Sequence, residues 1–329
     1  MKKFLNDTET LLHQSLDGFA HCHRELLELD PDYRFVARRP PRRDKVALIS
    51  GGGSGHEPLH AGLVGRGMLD AACPGQIFTS PTPDQMLAAA EHVGGAPGVL
   101  FIVKNYEGDV MNFAMASELV TGRTATLIVN DDVAVQNSTY TTGRRGIAGT
   151  LVVEKILGAA AERGLDLSRL VELGERANAA TRSMGVALTS CTVPAVGRPT
   201  FELGSGEMEM GVGIHGEPGR RRVALASADA IASELVAAIL EDFSSELSGE
   251  VLLFVNGFGA TPLLELYLVY DAAHRALLQR GLKVARSLVG SYVTSLDMAG
   301  CSVTITRLDA ELRELWDDPV ATAALSWGG

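Results

Sequence analysis

The chain has 329 residues, of which 46% are hydrophobic and only 5% aromatic. Its 40 acidic residues outnumber 29 basic ones, and the resulting net charge of −11 argues against nonspecific nucleic-acid binding. No apolar run approaches the ~20 residues of a membrane helix, and no signal peptide is evident. The four cysteines are scattered without CxxC spacing, so we expect a cytoplasmic enzyme with reduced thiols.

Short β-branched runs alternate with helix-like segments in the first half of the chain. The pattern predicts strands within 46–50, 98–109 and 124–132, and helices over 82–93 and 109–120. Pro83 suits the first position of its helix, and Asp109 stands where an N-cap would. Repeated strand–loop–helix units are typical of a parallel sheet that binds ligands at the carboxyl ends of its strands.

The second half repeats this character. Helical stretches over 149–164 and 167–185 lead into a second α/β portion, with a helix over 228–243, a strand within 250–262 and a long helix over 263–280. The fold class predicted is α/β, with two α/β domains, 1–183 and 184–329, each a mixed or parallel sheet flanked by helices.

The segment "SGGGSGHEP" (50–58) follows the first predicted strand. It lacks the Lys-Ser/Thr pair of a Walker A loop, and His56 replaces the third glycine of the dinucleotide fingerprint. Consecutive glycines expose backbone N–H groups and let a small ligand approach the chain. On this evidence alone, a ligand cradle and a tight structural turn are equally good interpretations.

Several polar residues adjoin these loops, and each has two interpretations. His56 is a solvent-facing histidine or a general base, and Asp109 is a helix N-cap or a carboxylate that accepts a hydroxyl proton. Lys104 is a strand-end lysine or reaches into the same crevice. His215 in "GIHGEPG" is a turn residue or a nucleophile toward a carbonyl, with Glu217 placed to fix its tautomer.

Other polar clusters indicate no metal site. The two histidines of "HCHRE" (21–25) would point apart in a helix. A separate group of two aspartates and two arginines is interpreted as loop and surface charges. The arginines could also dock an acidic partner or a phosphate. The residues concerned are His21, His23, Asp131, Asp132, Arg144 and Arg145.

Long motifs spread over nearly the whole chain resemble the K-subunit family of dihydroxyacetone kinases. They include "SGGGSGHEPLHAG", "KNYEGDVMNF", "TTGRRGIAGT", "EMEMGVGIHGEPG", "GATPLLELY" and the terminal "WGG". The resemblance implies that His215 binds dihydroxyacetone covalently as a hemiaminal, while His56 and Asp109 hold and deprotonate its terminal hydroxyl. It also implies that four further residues line the substrate: Gly53, Ser54, Gly55 and Lys104.

The resemblance further implies a divided kinase. This chain would hold no cofactor or metal, and ADP with Mg²⁺ would belong to a separate L subunit that an M phosphotransferase protein recharges from phosphoenolpyruvate. The chain ends too soon for a fused ADP-binding domain, which favours a stand-alone subunit, and a homodimer is expected. Two alternatives stay open: a kinase subunit for a related keto-sugar such as erythrulose, and a ketone-sensing regulatory paralogue.

Overall fold

The chain forms two compact units in this computed structural model, which describes residues 2–134, 141–217, 219–243 and 248–328. The first unit comprises Met1–Val129, Val152–Arg176 and Glu314–Gly329, and the second comprises Asn130–Leu151 and Ala177–Arg313. Both units are therefore discontinuous, unlike the domains 1–183 and 184–329 that the sequence predicts. Three of the four points where the chain passes between units fall within helices, where no loop composition marks a boundary.

The first unit contains a six-stranded sheet of order β1-β2-β5-β3-β6-β7. Strands β5, β3, β6 and β7 are parallel, whereas β1 and β2 join the edge antiparallel. The strands are β1 (Leu27–Leu29), β2 (Val36–Arg38), β3 (Ala47–Ser54), β5 (Ala71–Ile77), β6 (Val99–Lys104) and β7 (Thr124–Val129). A second, three-stranded sheet consists of β4 (Gly65–Arg66), β14 (Val320–Thr322) and β15 (Ser326–Trp327).

Helices of the first unit are α1 (Leu11–Cys22), α2 (Pro83–Val93), α3 (Glu107–Leu119) and a short 3₁₀ helix (Ala61–Leu63). Helix α2 begins at Pro83, as predicted. The Thr82 backbone N–H donates to Gln85 Oε1 at 2.9 Å, which satisfies a group that the helix leaves without a partner. Three helices have residues in both units: α4 (Gly149–Glu162), α5 (Leu167–Ala179) and α8 (Ala310–Asp317).

The second unit contains a mixed six-stranded sheet of order β10-β9-β8-β13-β11-β12. Only the β11–β12 pair is parallel. The strands are β8 (Thr181–Ala187), β9 (Glu207–Met210), β10 (Arg221–Ala224), β11 (Glu250–Gly257), β12 (Lys283–Gly290) and β13 (Gly300–Leu308), with helices α6 (Ala228–Asp242) and α7 (Leu263–Gln279).

Each unit has its own apolar core. In the first, β3, β5 and β6 pack against α2 and α3 through residues such as Ile49, Phe101 and Phe113. In the second, β8, β11 and β13 pack against α6 and α7 through residues such as Leu253 of β11 and Leu235 of α6. These helix-covered mixed sheets confirm the predicted α/β class.

Two predicted segments differ from the structure. The helix expected over 167–185 ends at Ala179, and β8 begins at Thr181. The sequence does not show this change from helix to strand, because Thr181–Gly185 lacks the apolar–polar alternation that is typical of a strand. The glycines after Ser50 are not a loop either, since β3 extends through them to Ser54.

Candidate functional site

The glycine run at the end of β3 lies too close to its neighbours to carry side chains. It pairs in parallel with β5, with Gly51 opposite Cys73. A Cβ on Gly51 would lie 2.6 Å from the Cys73 carbonyl oxygen, and one on Gly53 would lie 2.6 Å from the Thr79 nitrogen. A Cβ on Gly52 would overlap Lys104 Nζ. At the carboxyl end of β3, the glycine backbone therefore packs directly against the backbone of neighbouring segments.

His56 follows this strand and is almost fully buried. Its ring stacks on Phe78, with centroids 5.0 Å apart and planes inclined by 19°. Between the end of β3 and His56, Gly55 has φ 102°, a conformation that favours glycine. The solvent-facing interpretation of His56 is therefore wrong: this histidine is held in the interior by an aromatic neighbour.

Lys104 and Asp109 come from β6 and the first turn of α3. Helix α3 begins at Glu107 after the N-cap Tyr106, so Asp109 lies inside the helix and the N-cap interpretation is wrong. Both side chains are buried, and Lys104 Nζ lies 3.8 Å from Asp109 Oδ2. Burial raises the pKa of Asp109, opposed by Lys104 and a Ser80 hydrogen bond. Burial lowers the pKa of Lys104, opposed by Asp109 and Glu154.

A buried pair that the sequence did not identify adjoins Lys104. His60 Nε2 lies 2.7 Å from Lys104 Nζ, and His60 Nδ1 lies 2.7 Å from Glu154 Oε1 and 3.0 Å from Ser50 Oγ. Burial raises the pKa of Glu154 to about 8. One signal was available: Glu154 interrupts the apolar helix segment "TLVVEKILGAAA", and a buried charge requires a partner.

His215 belongs to the second unit, in the segment between β9 and β10. It is half-buried, and its backbone N–H donates to Glu217 Oε2 at 2.9 Å. A Cβ on Gly213 would overlap the Glu217 carboxylate, so glycine is required there. Pro218 of the "GIHGEPG" motif lies outside the described residues. The predicted role of Glu217 toward the His215 tautomer stays a prediction.

Arg145 fixes Glu217 from the interior of the second unit. Its Nη1 donates to Glu217 Oε1 at 3.2 Å, its Nε to Asp132 Oδ2 at 2.7 Å, and its Nη2 to the Gly211 carbonyl at 2.8 Å. Arg145 and Asp132 are fully buried. The interpretation of these two residues as surface charges is therefore wrong, since both hold the His215 segment in place.

Asp131 is fully buried as well, and its carboxylate accepts hydrogen bonds from the Ile147 and Gly149 backbone N–H groups at 2.8 and 2.7 Å. Asp131 is therefore not a surface charge, because it holds the backbone at the start of α4. Arg144 pairs with Asp242. Among the residues that the structure describes, no group of three or more His, Cys, Asp or Glu side chains could hold a metal ion.

Comparison with known proteins decides the family. The family model described as the Dak1 domain matches residues 17–324. The chain belongs to this family. It is 47% identical, over 100% of both chains, to the Escherichia coli (strain K12) protein "PEP-dependent dihydroxyacetone kinase, dihydroxyacetone-binding subunit DhaK". The resemblance to K subunits that the motifs predict is confirmed.

Two solved structures of Dak1 relatives match the fold. The dihydroxyacetone kinase of C. freundii superposes with a TM-score of 0.88 at 35% identity, covering 99% of this chain and 60% of that chain. The "dihydroxyacetone kinase operon co-activator Dha-DhaQ" superposes with a TM-score of 0.89 at 33% identity, covering 94% and 96%. In the described part of this Dak1 chain, no helix has the length and apolar character needed to cross a membrane.

Proposed function

We propose that this chain is the dihydroxyacetone-binding subunit of a phosphoenolpyruvate-dependent dihydroxyacetone kinase. The observation that carries the proposal is the 47% identity, end to end, with the E. coli subunit of that name. Its reaction would be phosphoryl transfer to an alcohol group of the bound ketone, giving dihydroxyacetone phosphate. Such transfer depends mainly on positioning and charge neutralisation, and the chain supplies buried polar groups for both.

His215 would capture the ketone. A bare ring nitrogen adds to the carbonyl carbon, the carbonyl oxygen takes up a proton, and the ring releases the proton on its other nitrogen. The product is a hemiaminal, which requires a carbonyl and therefore excludes glycerol. Support comes from the half-buried setting of His215 and from the Arg145–Glu217 contact that holds its backbone.

His56 and Asp109 would hold and deprotonate the terminal hydroxyl. Both are buried, and Asp109 Oδ1 has no hydrogen-bond partner among the residues that the structure describes. A buried carboxylate oxygen without a donor is costly, and a substrate hydroxyl would supply one. Lys104, Gly53, Ser54 and Gly55 would line the ketone, and the two glycines, which lack a Cβ, would allow the close approach that a triose needs.

The partners are part of the proposal. ADP and Mg²⁺ would be held by a separate L subunit, which an M phosphotransferase protein recharges, and this chain would act as a homodimer in the cytoplasm. The name of the E. coli relative, a subunit of a PEP-dependent kinase, supports a divided enzyme. The four cysteines, all free thiols, fit a reducing compartment.

Reconstituted turnover tests the proposal. With ADP-loaded L subunit, M protein and phosphoenolpyruvate, the chain should produce dihydroxyacetone phosphate, and His215→Ala should abolish production. No product from the wild-type chain with a competent L subunit would contradict the proposal.

The same assay separates the alternatives. Greater kcat/KM for erythrulose than for dihydroxyacetone would favour the keto-sugar kinase. Ketone binding without turnover would favour a regulatory role. The reason to test this role is the 33% identity to the DhaQ co-activator.

A further inference from the structure

A continuous line of buried polar groups runs behind Lys104 in the first unit. It passes from Asp109 through Lys104 and His60 to Glu154, with spacings of 3.8, 2.7 and 2.7 Å. The four side chains are at most 6% exposed. Their elements differ: α3, β6, the segment before the 3₁₀ helix, and α4. Since burying charged groups is costly unless they are paired, each of these four groups needs its neighbours in the line as hydrogen-bond or ion-pair partners.

The hydrogen-bond partners define which ring nitrogen of His60 carries hydrogen. Ser50 Oγ donates to the Ile102 carbonyl at 2.7 Å, so toward His60 Nδ1 at 3.0 Å it acts as acceptor. Glu154 Oε1 accepts from Nδ1 when the carboxyl is ionised, and also when a neutral carboxyl carries its proton on Oε2. In this arrangement two acceptors face Nδ1, which carries the hydrogen and leaves Nε2 bare toward Lys104.

Bare Nε2 is what a buried ammonium requires. An ammonium has three donors and no acceptor. Lys104 directs one donor to the Gly51 carbonyl at 3.3 Å and one to His60 Nε2 at 2.7 Å. The third remains for Asp109 or a substrate oxygen. Burial, with smaller effects of Lys104 and His56, holds the pKa of His60 well below its ordinary value, so the ring is neutral and can accept.

We propose that His60, oriented by Glu154 and Ser50, is a positioning residue that holds Lys104 as an ammonium beside Asp109. The inference rests on the proposed function, in which Asp109 and Lys104 act on the substrate. Loss of the His60 acceptor would leave a buried cation with one fewer partner. Lys104 would then release its proton more readily. The pKa of Asp109, which the Lys104 charge lowers against the effect of burial, would rise further, although Glu154 and His56 would still face the cluster.

Neutron diffraction on wild-type crystals tests the hydrogen-bond arrangement without any variant. We expect hydrogen on His60 Nδ1, none on His60 Nε2, and three on Lys104 Nζ. Hydrogen on Nε2 would overturn the proposal, because His60 would then donate to a neutral lysine. This outcome is independent of substrate identity and of turnover.

Kinetics of two matched variants test the consequence. Glutamine at position 60 keeps an acceptor that can reach Lys104, whereas leucine has a similar size and none. We expect His60→Leu to lower kcat on the order of 100-fold and to move the acidic limb of its pH profile upward by about one unit. His60→Gln should recover most of the turnover and the wild-type limb.

Equal losses in both folded variants with an unchanged pH profile would overturn the positioning role, as would wild-type turnover in His60→Leu. Circular dichroism and thermal unfolding identify folded variants, and if His60→Leu does not fold, the neutron result decides. Failure of the proposed function is distinguishable, because wild-type chain would then lack turnover while the Nδ1–H tautomer could still be observed.

Discussion

Asp109 illustrates how much a single side chain depends on its surroundings. Its sequence position after a strand fits an N-cap, yet the structure places it inside the first turn of α3, buried beside Lys104. No local pattern distinguishes these positions, because helix boundaries inferred from sequence are uncertain by a few residues. Burial of Asp109 depends on the packing of α3 against β6, which is tertiary information.

The proposed base can be separated from the proposed nucleophile. We expect Asp109→Asn to lower phosphoryl transfer by at least about 100-fold while leaving capture of the ketone by His215 intact, because asparagine is nearly isosteric but cannot take a proton. Turnover and ketone binding are measured on the same preparation. Glu107→Gln, at an exposed position in the same helical turn, serves as control. Unchanged turnover in Asp109→Asn would reduce Asp109 to a structural residue.

Glu154 predicts a pH dependence of stability. Burial raises its pKa from 4.5 to about 8, so the folded chain retains a proton that the unfolded chain has already released between these pH values. The unfolded state then binds fewer protons, and the free energy of unfolding falls as pH rises from about 4.5 to 8.

Glutamine cannot titrate, so Glu154→Gln should show a shallower fall across this window. Urea unfolding of both proteins at several pH values measures the difference. Parallel curves for wild type and variant would contradict the raised pKa of Glu154.

At the scale of elements, the sequence predicts those with strong periodicity. Helices α2, α6 and α7 and strands β6 and β7 lie where the patterns place them. Strand β5, Ala71–Ile77, was not predicted, because "AACPGQI" has neither apolar–polar alternation nor an enrichment in β-branched residues. The short edge strands were not predicted either. The site divides in the same way: His56 and Asp109 were recognised, whereas the pairing of His60 with Glu154 on α4 required the tertiary structure.

Arg145 supports the His215 segment through two buried carboxylates. Arg145→Met should destabilise the chain by about 3–5 kcal/mol, because it leaves Asp132 and Glu217 buried without their cation. Arg275 offers a matched control, since it also pairs with two carboxylates, Asp229 and Asp271, but all three are at least half exposed. Arg275→Met should cost at most ~1 kcal/mol. Similar losses in urea unfolding would contradict the proposed support by Arg145.

At the scale of the whole molecule, the first unit gathers three separate stretches of chain, including Glu314–Gly329. Strand β14 pairs with β4, with Ala321 opposite Arg66, and nothing in a single sequence marks such a distant return. The family motifs nevertheless pointed to residues of both units, His56 and Asp109 in the first and His215 in the second. That His215 captures the ketone covalently stays the central claim.

Carbon-13 NMR of dihydroxyacetone labelled at its carbonyl carbon tests this claim most directly. With wild-type chain, one equivalent of label per site should move from the ketone region to that of a protein-bound tetrahedral carbon, and Asp109→Asn should retain this signal. His215→Ala should lose it. A bound ketone signal with an intact carbonyl in the wild type, or a tetrahedral adduct that persists in His215→Ala, would contradict covalent capture by His215.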